Sequence, residues 1–419
     1  MRSIRGCEKR EPLRVLVTDT ADTETETERA KMFFIKESKD SCLSLAERVG
    51  SEAITNGSNF VFSPLSIRVA LSLAAVGSKA ATSDRMLSFL GSGSVEELNA
   101  VSVRLLGTVR LNGTDEPGSI SFVNGIWVDR SVDMNPVFEV LARSVYGAAA
   151  ESVDFQTKSI EVAKGVNGWV EKETNGLIKN LLPDDSVDSM TRLIITNALY
   201  FKGLWKHRFD ISKTREKEFH LLDSTIIKAP FMTSKEDQFI TSFDGFQVLR
   251  LPYQKHEDTK SFSMYIYLPD DLFGLHRLLE KVANEPGFVS NHIPLRRVEV
   301  GRFMIPKFKF SYGFEVSKVL KSLGLELPFS ENADFSGMIL SSSSADKLFI
   351  SSVYHKATIE VEEEGTVAAA ATGLVAKLMC YVPPVNFVAD HPFMFVIRED
   401  VTGALLFFGV VVNPLLSAD

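Results

Sequence analysis

The sequence predicts an α+β domain, and three observations carry that prediction. Short runs rich in β-branched or aromatic residues alternate with amphipathic stretches, no internal repeat divides the chain, and 30 of the 419 residues are phenylalanine. That much phenylalanine suits sheets layered through aromatic side chains. The length alone leaves one large domain or two smaller ones open. No low-complexity linker follows Glu28, which favours one.

The elements follow in chain order. Residues 18–28, TDTADTETETE, hold five acids, no base and almost no core former. A segment of that composition cannot bury enough apolar surface to order itself, so residues 1–36 are expected to be a largely disordered extension. Order is expected from 37 to 416. Ser41 to Val49 carries an apolar helical face of Cys42, Leu43, Leu45, Ala46 and Val49. Ser63-Pro64 sets a serine cap and a first-turn proline before a small-residue helix, Leu65 to Val76. Ser94 with Glu97 forms a capping box for a helix to Leu106. Strands are expected over Ser119–Val128, Arg192–Phe201, Phe262–Leu268 and Val298–Ile305, and helices over Gly165–Thr174 and Phe314–Leu323. Phe393–Ile397 and Leu405–Val412 are continuous apolar runs, as strands covered on both faces should be.

Composition removes several function classes. The net charge of −8 and pI near 5.6 do not fit a general nucleic-acid binder, which needs clustered Lys and Arg. The most apolar stretches fall short of the roughly 20 residues of a membrane helix, and Leu13–Val17, broken by Arg14, is too short for a signal-peptide core. A cytoplasmic protein is therefore expected. Cys7, Cys42 and Cys380 have no metal spacing and suit a reduced compartment. There is no GxGxxG, no GxxxxGK[ST], no CxxC and no GxSxG elbow, and the pair His256-Glu257 lacks the second histidine of a zinc helix. The seven histidines are scattered. No enzyme activity, metal or cofactor is expected.

One segment remains unusual. In HKATIEVEEEGTVAAAATGLVAKLMCYVPPVNFVAD (His355 to Asp390), Ala357, Ile359 and Val361 share one strand face, and Lys356, Thr358, Glu360 and Glu362 the other. Glu362–Glu364 and Gly365 end that pattern, and Thr366, Val367, Ala368–Ala371 and Thr372 follow. Polyalanine behind a Thr cap can be a helix, and a plain loop also fits. A third reading is a segment exposed at first and later inserted into a sheet. That requires small side chains, and no proline to interrupt the ladder before Pro383.

EEEGTVAAAAT resembles the reactive-loop hinge of inhibitory serpins. Further serpin-like motifs run in order along the chain: NFVFSPLSIRVALSLAAVGS (Asn59 to Ser78), FVNGIWVD (Phe122 to Asp129), WVEKETNGLIKNLLP (Trp169 to Pro183), TNALYFKGLWKHRFD (Thr196 to Asp210), IPKFKFSYGF (Ile305 to Phe314), FSENADFSGM (Phe329 to Met338) and DHPFMFVIREDVTGALLFFGVVVNP (Asp390 to Pro414). The loop details, notably VAKLMC, are most similar to plant serpins. The resemblance implies three β-sheets and about nine helices in one domain, with a reactive-centre loop at about 363–386 exposed above a central, mostly parallel sheet.

It also implies a scissile bond at Met379–Cys380, with Lys377 and Leu378 as neighbouring subsite contacts. Gly365, Thr366, Val367, Ala368, Ala369, Ala370, Ala371 and Thr372 would form the hinge. Ser63, Ser66, Asn197 and His355 match a buried polar cluster where the sheet parts, and Trp205 matches a tryptophan where the hinge enters. The implied function is a monomeric suicide-substrate inhibitor. Its partner would be a protease with an apolar primary pocket, chymotrypsin-like, elastase-like or papain-like. Val367 departs from the pattern, since inhibitory serpins usually carry Glu there, and this keeps a non-inhibitory binding or carrier module as the alternative.

Overall fold

A computed structural model describes residues 41–109, 120–201, 203–255, 260–340, 348–364 and 383–417, with backbone alone at 41–43, 108 and 109. The expected extension 1–36, the hinge from Gly365 to Thr372, and Lys377, Leu378, Met379 and Cys380 lie outside the described residues, as do the side chains of all three cysteines.

The chain opens with α1 (Ser41–Thr55), β1 (Phe60–Phe62), α2 (Pro64–Gly77), α3 (Ala80–Phe89) and α4 (Val95–Val109), then β2 (Ile120–Asp129), α5 (Pro136–Ser144), β3 (Ala149–Val153), α6 (Phe155–Glu173) and β4 (Leu193–Phe201). Next come β5 (Arg215–His220), β6 (Ile226–Met232), β7 (Gln238–Phe243), β8 (Phe246–Pro252), β9 (Phe262–Pro269), α7 (Leu275–Asn284), α8 (Phe288–Asn291), β10 (Arg297–Val298) and β11 (Val300–Pro306). The last elements are β12 (Phe308–Glu315), α9 (Val316–Ser322), β13 (Ser352–Val361), β14 (Val385–Val388), β15 (Phe393–Glu399) and β16 (Leu405–Val411). Nine α-helices thus occur among the described residues. None is long and apolar enough to cross a membrane.

The strands form three sheets. One has seven strands in the order β1-β16-β15-β9-β8-β7-β10, one has four in the order β14-β11-β6-β5, and one has five in the order β12-β13-β4-β2-β3. Phenylalanine joins the five- and seven-stranded sheets: Phe308 packs on Phe393 and Phe395, Phe310 on Phe395, and Phe201 on Phe407. The small-residue helix α2 is buried on nearly every side against β16, β4 and β2, as its all-round apolar composition requires. Its cap forms as expected, with the Ser63 side chain accepting from Ser66 N.

The five-stranded sheet corrects one expectation. It is mixed rather than mostly parallel, with β12–β13 and β4–β2 antiparallel and β13–β4 and β2–β3 parallel. The chain reverses through α9 between β12 and β13, whereas α5 carries a same-direction crossover from β2 to β3. Two element boundaries also move. The helix expected from Gly165 starts at Phe155, where Asp154 caps it by accepting from Thr157 N. Phe314, expected in a helix, lies in β12 instead, which ends at Glu315, and α9 begins at Val316.

Candidate functional site

The seam between β4 and β13 is the centre of the candidate site. These parallel neighbours pair from Ser352–Ile194 to Ile359–Phe201, and both strands are buried almost throughout. Asn197 and His355 stand opposite each other near the middle of that register. His355 Nδ1–H donates to Asn197 Oδ1 at 2.9 Å, so a side-chain bond crosses the seam. The other ring nitrogen, Nε2, accepts from the backbone N–H of Ser63 at 3.0 Å, at the N-cap of α2. One nitrogen donating and one accepting defines a neutral imidazole. Burial enforces that state by holding the His355 pKa down at about 3.

Ser63, Ser66, Asn197 and His355 therefore come together as expected: Ser66 N donates to Ser63 Oγ, and Asn197 Nδ2 to Val123 O. Sequence reasoning missed Asn124, which pairs with Asn197 across β2–β4 and is equally buried. Among the described residues its amide has no hydrogen-bond partner, nor does Ser66 Oγ. Outward from the seam, Tyr354 Oη donates to Ser186 O and Lys356 Nζ to Lys179 O. Both acceptors belong to the segment between α6 and β4, which is thereby tied across β13.

Trp205 lies apart from this cluster, where β13 ends. Its ring stacks on Tyr253, centroids 4.5 Å apart, and its Nε1–H donates to Glu362 O at 2.7 Å. The next residue is held more firmly. Glu363 O accepts from Phe209 N, and its carboxylate accepts from Thr214 Oγ1 at 2.6 Å and meets Lys307 Nζ at 2.5 Å. Burial opposes ionisation of this carboxyl, but the bonds from Lys307 and Thr214 prevail and hold its pKa below the ordinary range. The chain is thus fixed to its last described residue but one before Gly365. It is described again from Pro383 and enters β14, which pairs with β11 in the four-stranded sheet. The segment that would carry the reactive bond therefore bridges two different sheets. The Glu363 anchor was also missed, although alternation from Ala357, Ile359 and Val361 puts Glu363 on the same inward face.

A family model described as Serpin (serine protease inhibitor) matches residues 36–414. "Serpin-ZX" of Arabidopsis thaliana is 50% identical over 366 residues, 86% of this chain and 94% of that protein. "Serpin-ZXA" of Oryza sativa subsp. japonica is 52% identical over 364 residues, 86% and 92% respectively. The solved structure titled "Structure of Arabidopsis AtSerpin1. Native Stressed Conformation" has a TM-score of 0.87 at 47% identity, covering 93% of this chain and 99% of that one.

Proposed function

This chain belongs to the serpin (serine protease inhibitor) family, a family of inhibitors rather than of enzymes, and from that premise we propose that it is an inhibitory member that traps its target as a suicide substrate. A protease with an apolar primary pocket takes Met379, its nucleophile attacks the carbonyl of Met379, and the amine of Cys380 leaves. The freed strand, still acylated to the protease, then inserts between β4 and β13 and drags the protease from its docking position. An unbranched apolar side chain such as Met suits chymotrypsin-like, elastase-like or papain-like pockets.

The observation that carries this reading is the parallel β4–β13 seam. A chain that leaves β13 at Glu363, turns at Gly365 and runs back along the seam is antiparallel to both neighbours. Insertion then replaces one parallel ladder with two antiparallel ones, a net gain of about eight hydrogen bonds at ~1 kcal/mol each. Thr366 and Ala368–Ala371 are small enough to enter such a ladder. The same seam gives Ser63, Ser66, Asn197 and His355 a role, because the His355–Asn197 bond must break for a strand to pass. Trp205 and the Glu363 anchor would hold the hinge at the entrance.

Val367 favours a second reading, a non-inhibitory member that is cut without inserting and acts as a binding or carrier module. Incubation with chymotrypsin separates the two readings. Inhibition predicts an SDS-resistant adduct and a released C-terminal peptide whose first residue is Cys380. Clean cleavage with no adduct supports the carrier reading, and a dominant cut elsewhere between Gly373 and Pro383 overturns the assignment of Met379.

A further inference from the structure

Beside the hinge root lies an open cleft of about 710 Å³. It is cationic in a chain whose net charge is −8. Lys206, His207, Arg250 and Arg297 line it around an aromatic floor that includes Phe239 and Tyr253. Arg250 and Arg297 both set their guanidinium carbons over the Phe239 ring, at 5.4 and 5.3 Å from its centroid. Burial, then the adjacent charges of Arg297 and Lys206, lower the His207 pKa against the opposing pull of Glu236.

The nearby carboxylates compensate only part of this group. Asp400 is taken up by Arg250, Ser263 and Tyr265, and Glu236 faces His207 at 3.5 Å. Lys206 and Arg297 are exposed and form no ion pair among the described residues. Arg297 is thus an arginine held in place by its ring contact, with guanidinium donors still available.

We propose that this cleft is an accessory docking site for an acidic surface segment of the target protease, acting on encounter before the loop is cut. The inference rests on the inhibitor reading for the identity of the partner. Two observations select an acidic protein segment over a small oxyanion. The cations are spread along an open cleft rather than closed into a nest, and arginine over an aromatic, partly apolar floor is the composition of a protein interface. Position selects the protease: Tyr253 both lines the cleft and stacks on Trp205, which bonds the backbone of Glu362. The cleft thus adjoins the end of β13 from which the chain departs towards the reactive bond, and complementary charge there would speed association more than it prolongs residence.

The test uses the intact, uncleaved protein and a fluorescein-labelled peptide of alternating glutamate and serine, followed by anisotropy. The parent should bind the peptide and lose it at ~1 M salt, where the screening length falls to ~3 Å. Arg297→Glu and Lys206→Glu should each weaken binding about tenfold. Arg296→Glu changes net charge equally but does not line the cleft, and should bind nearly as the parent does. No binding by the parent, equal losses in Arg296→Glu and Arg297→Glu, or displacement of the peptide by an equal concentration of inorganic phosphate would each overturn the proposal. No protease is present, so failure of the inhibitor reading appears only in the adduct assay and leaves this result separate.

Discussion

His355 is a titratable residue held in one protonation state by its surroundings. Its Nε2 lone pair is occupied by the Ser63 N–H and its Nδ1 proton by Asn197, so a second proton on Nε2 would meet a donor instead of an acceptor. The pKa falls from 6.5 to about 3. The sign follows from linkage: between those values the unfolded chain binds a proton that the folded chain refuses. Folded stability from this group is therefore full above pH 6.5 and is lost progressively as the pH falls towards about 3. The slope approaches ~1.4 kcal/mol per pH unit. Denaturant titrations at pH 7, 6, 5 and 4 should show that decline in the parent. His355→Gln, which cannot titrate, should be less stable at pH 7 but show a shallower decline. An identical slope in the two proteins would mean that His355 is not the group responsible. The cluster was legible in the sequence only through the resemblance, since Ser63 and Ser66 lie far in the chain from Asn197 and His355 and no local pattern links the three places. Glu363 was legible in principle, by alternation, yet the run of three acids hid which one turns inward.

Among the elements, the strands were the most readable. The runs at Arg192–Phe201 and Phe262–Leu268 match β4 and β9 to within a residue, because burial on both faces leaves a continuous apolar signature. Helix α6 was found only in its second half, since its first turns, FQTKSIEVAK, are largely exposed and weakly periodic. The sheet's mixed direction was not legible, because strand direction is set by what the connections do in space. The hinge belongs to this scale as well. Thr366 is the first hinge residue whose side chain must enter the sheet in the insertion account, while Val367 beside it should face outward. Thr366→Arg would force a charge into an apolar layer or hold the strand out. Acylation at Met379 should be untouched, and because trapping is a race between insertion and deacylation, the variant should be cut at the same bond and release active protease. Val367→Arg should keep most of its trapping. Comparison of adduct yield with free protease activity decides it, and equal trapping by Thr366→Arg and the parent contradicts hinge insertion.

For the whole molecule, the proposed function treats the described fold as a metastable state that persists through its barrier. The new ladder bonds do not favour insertion by themselves, because ordering each inserted residue costs about 1–2 kcal/mol. The balance must come from burying the small hinge side chains and from groups poorly satisfied before insertion. The amide of Asn124 and hydroxyl of Ser66 beside the seam, without hydrogen-bond partners among the described residues, are such groups. An ordinary nick in an exposed loop only removes connectivity and leaves a melting midpoint unchanged or lower. Here the cut should release a new strand into the five-stranded sheet. Thermal unfolding of the intact protein and of protein cleaved after Met379 measures this directly. Insertion predicts a midpoint clearly higher after cleavage, and an unchanged or lowered midpoint would contradict it.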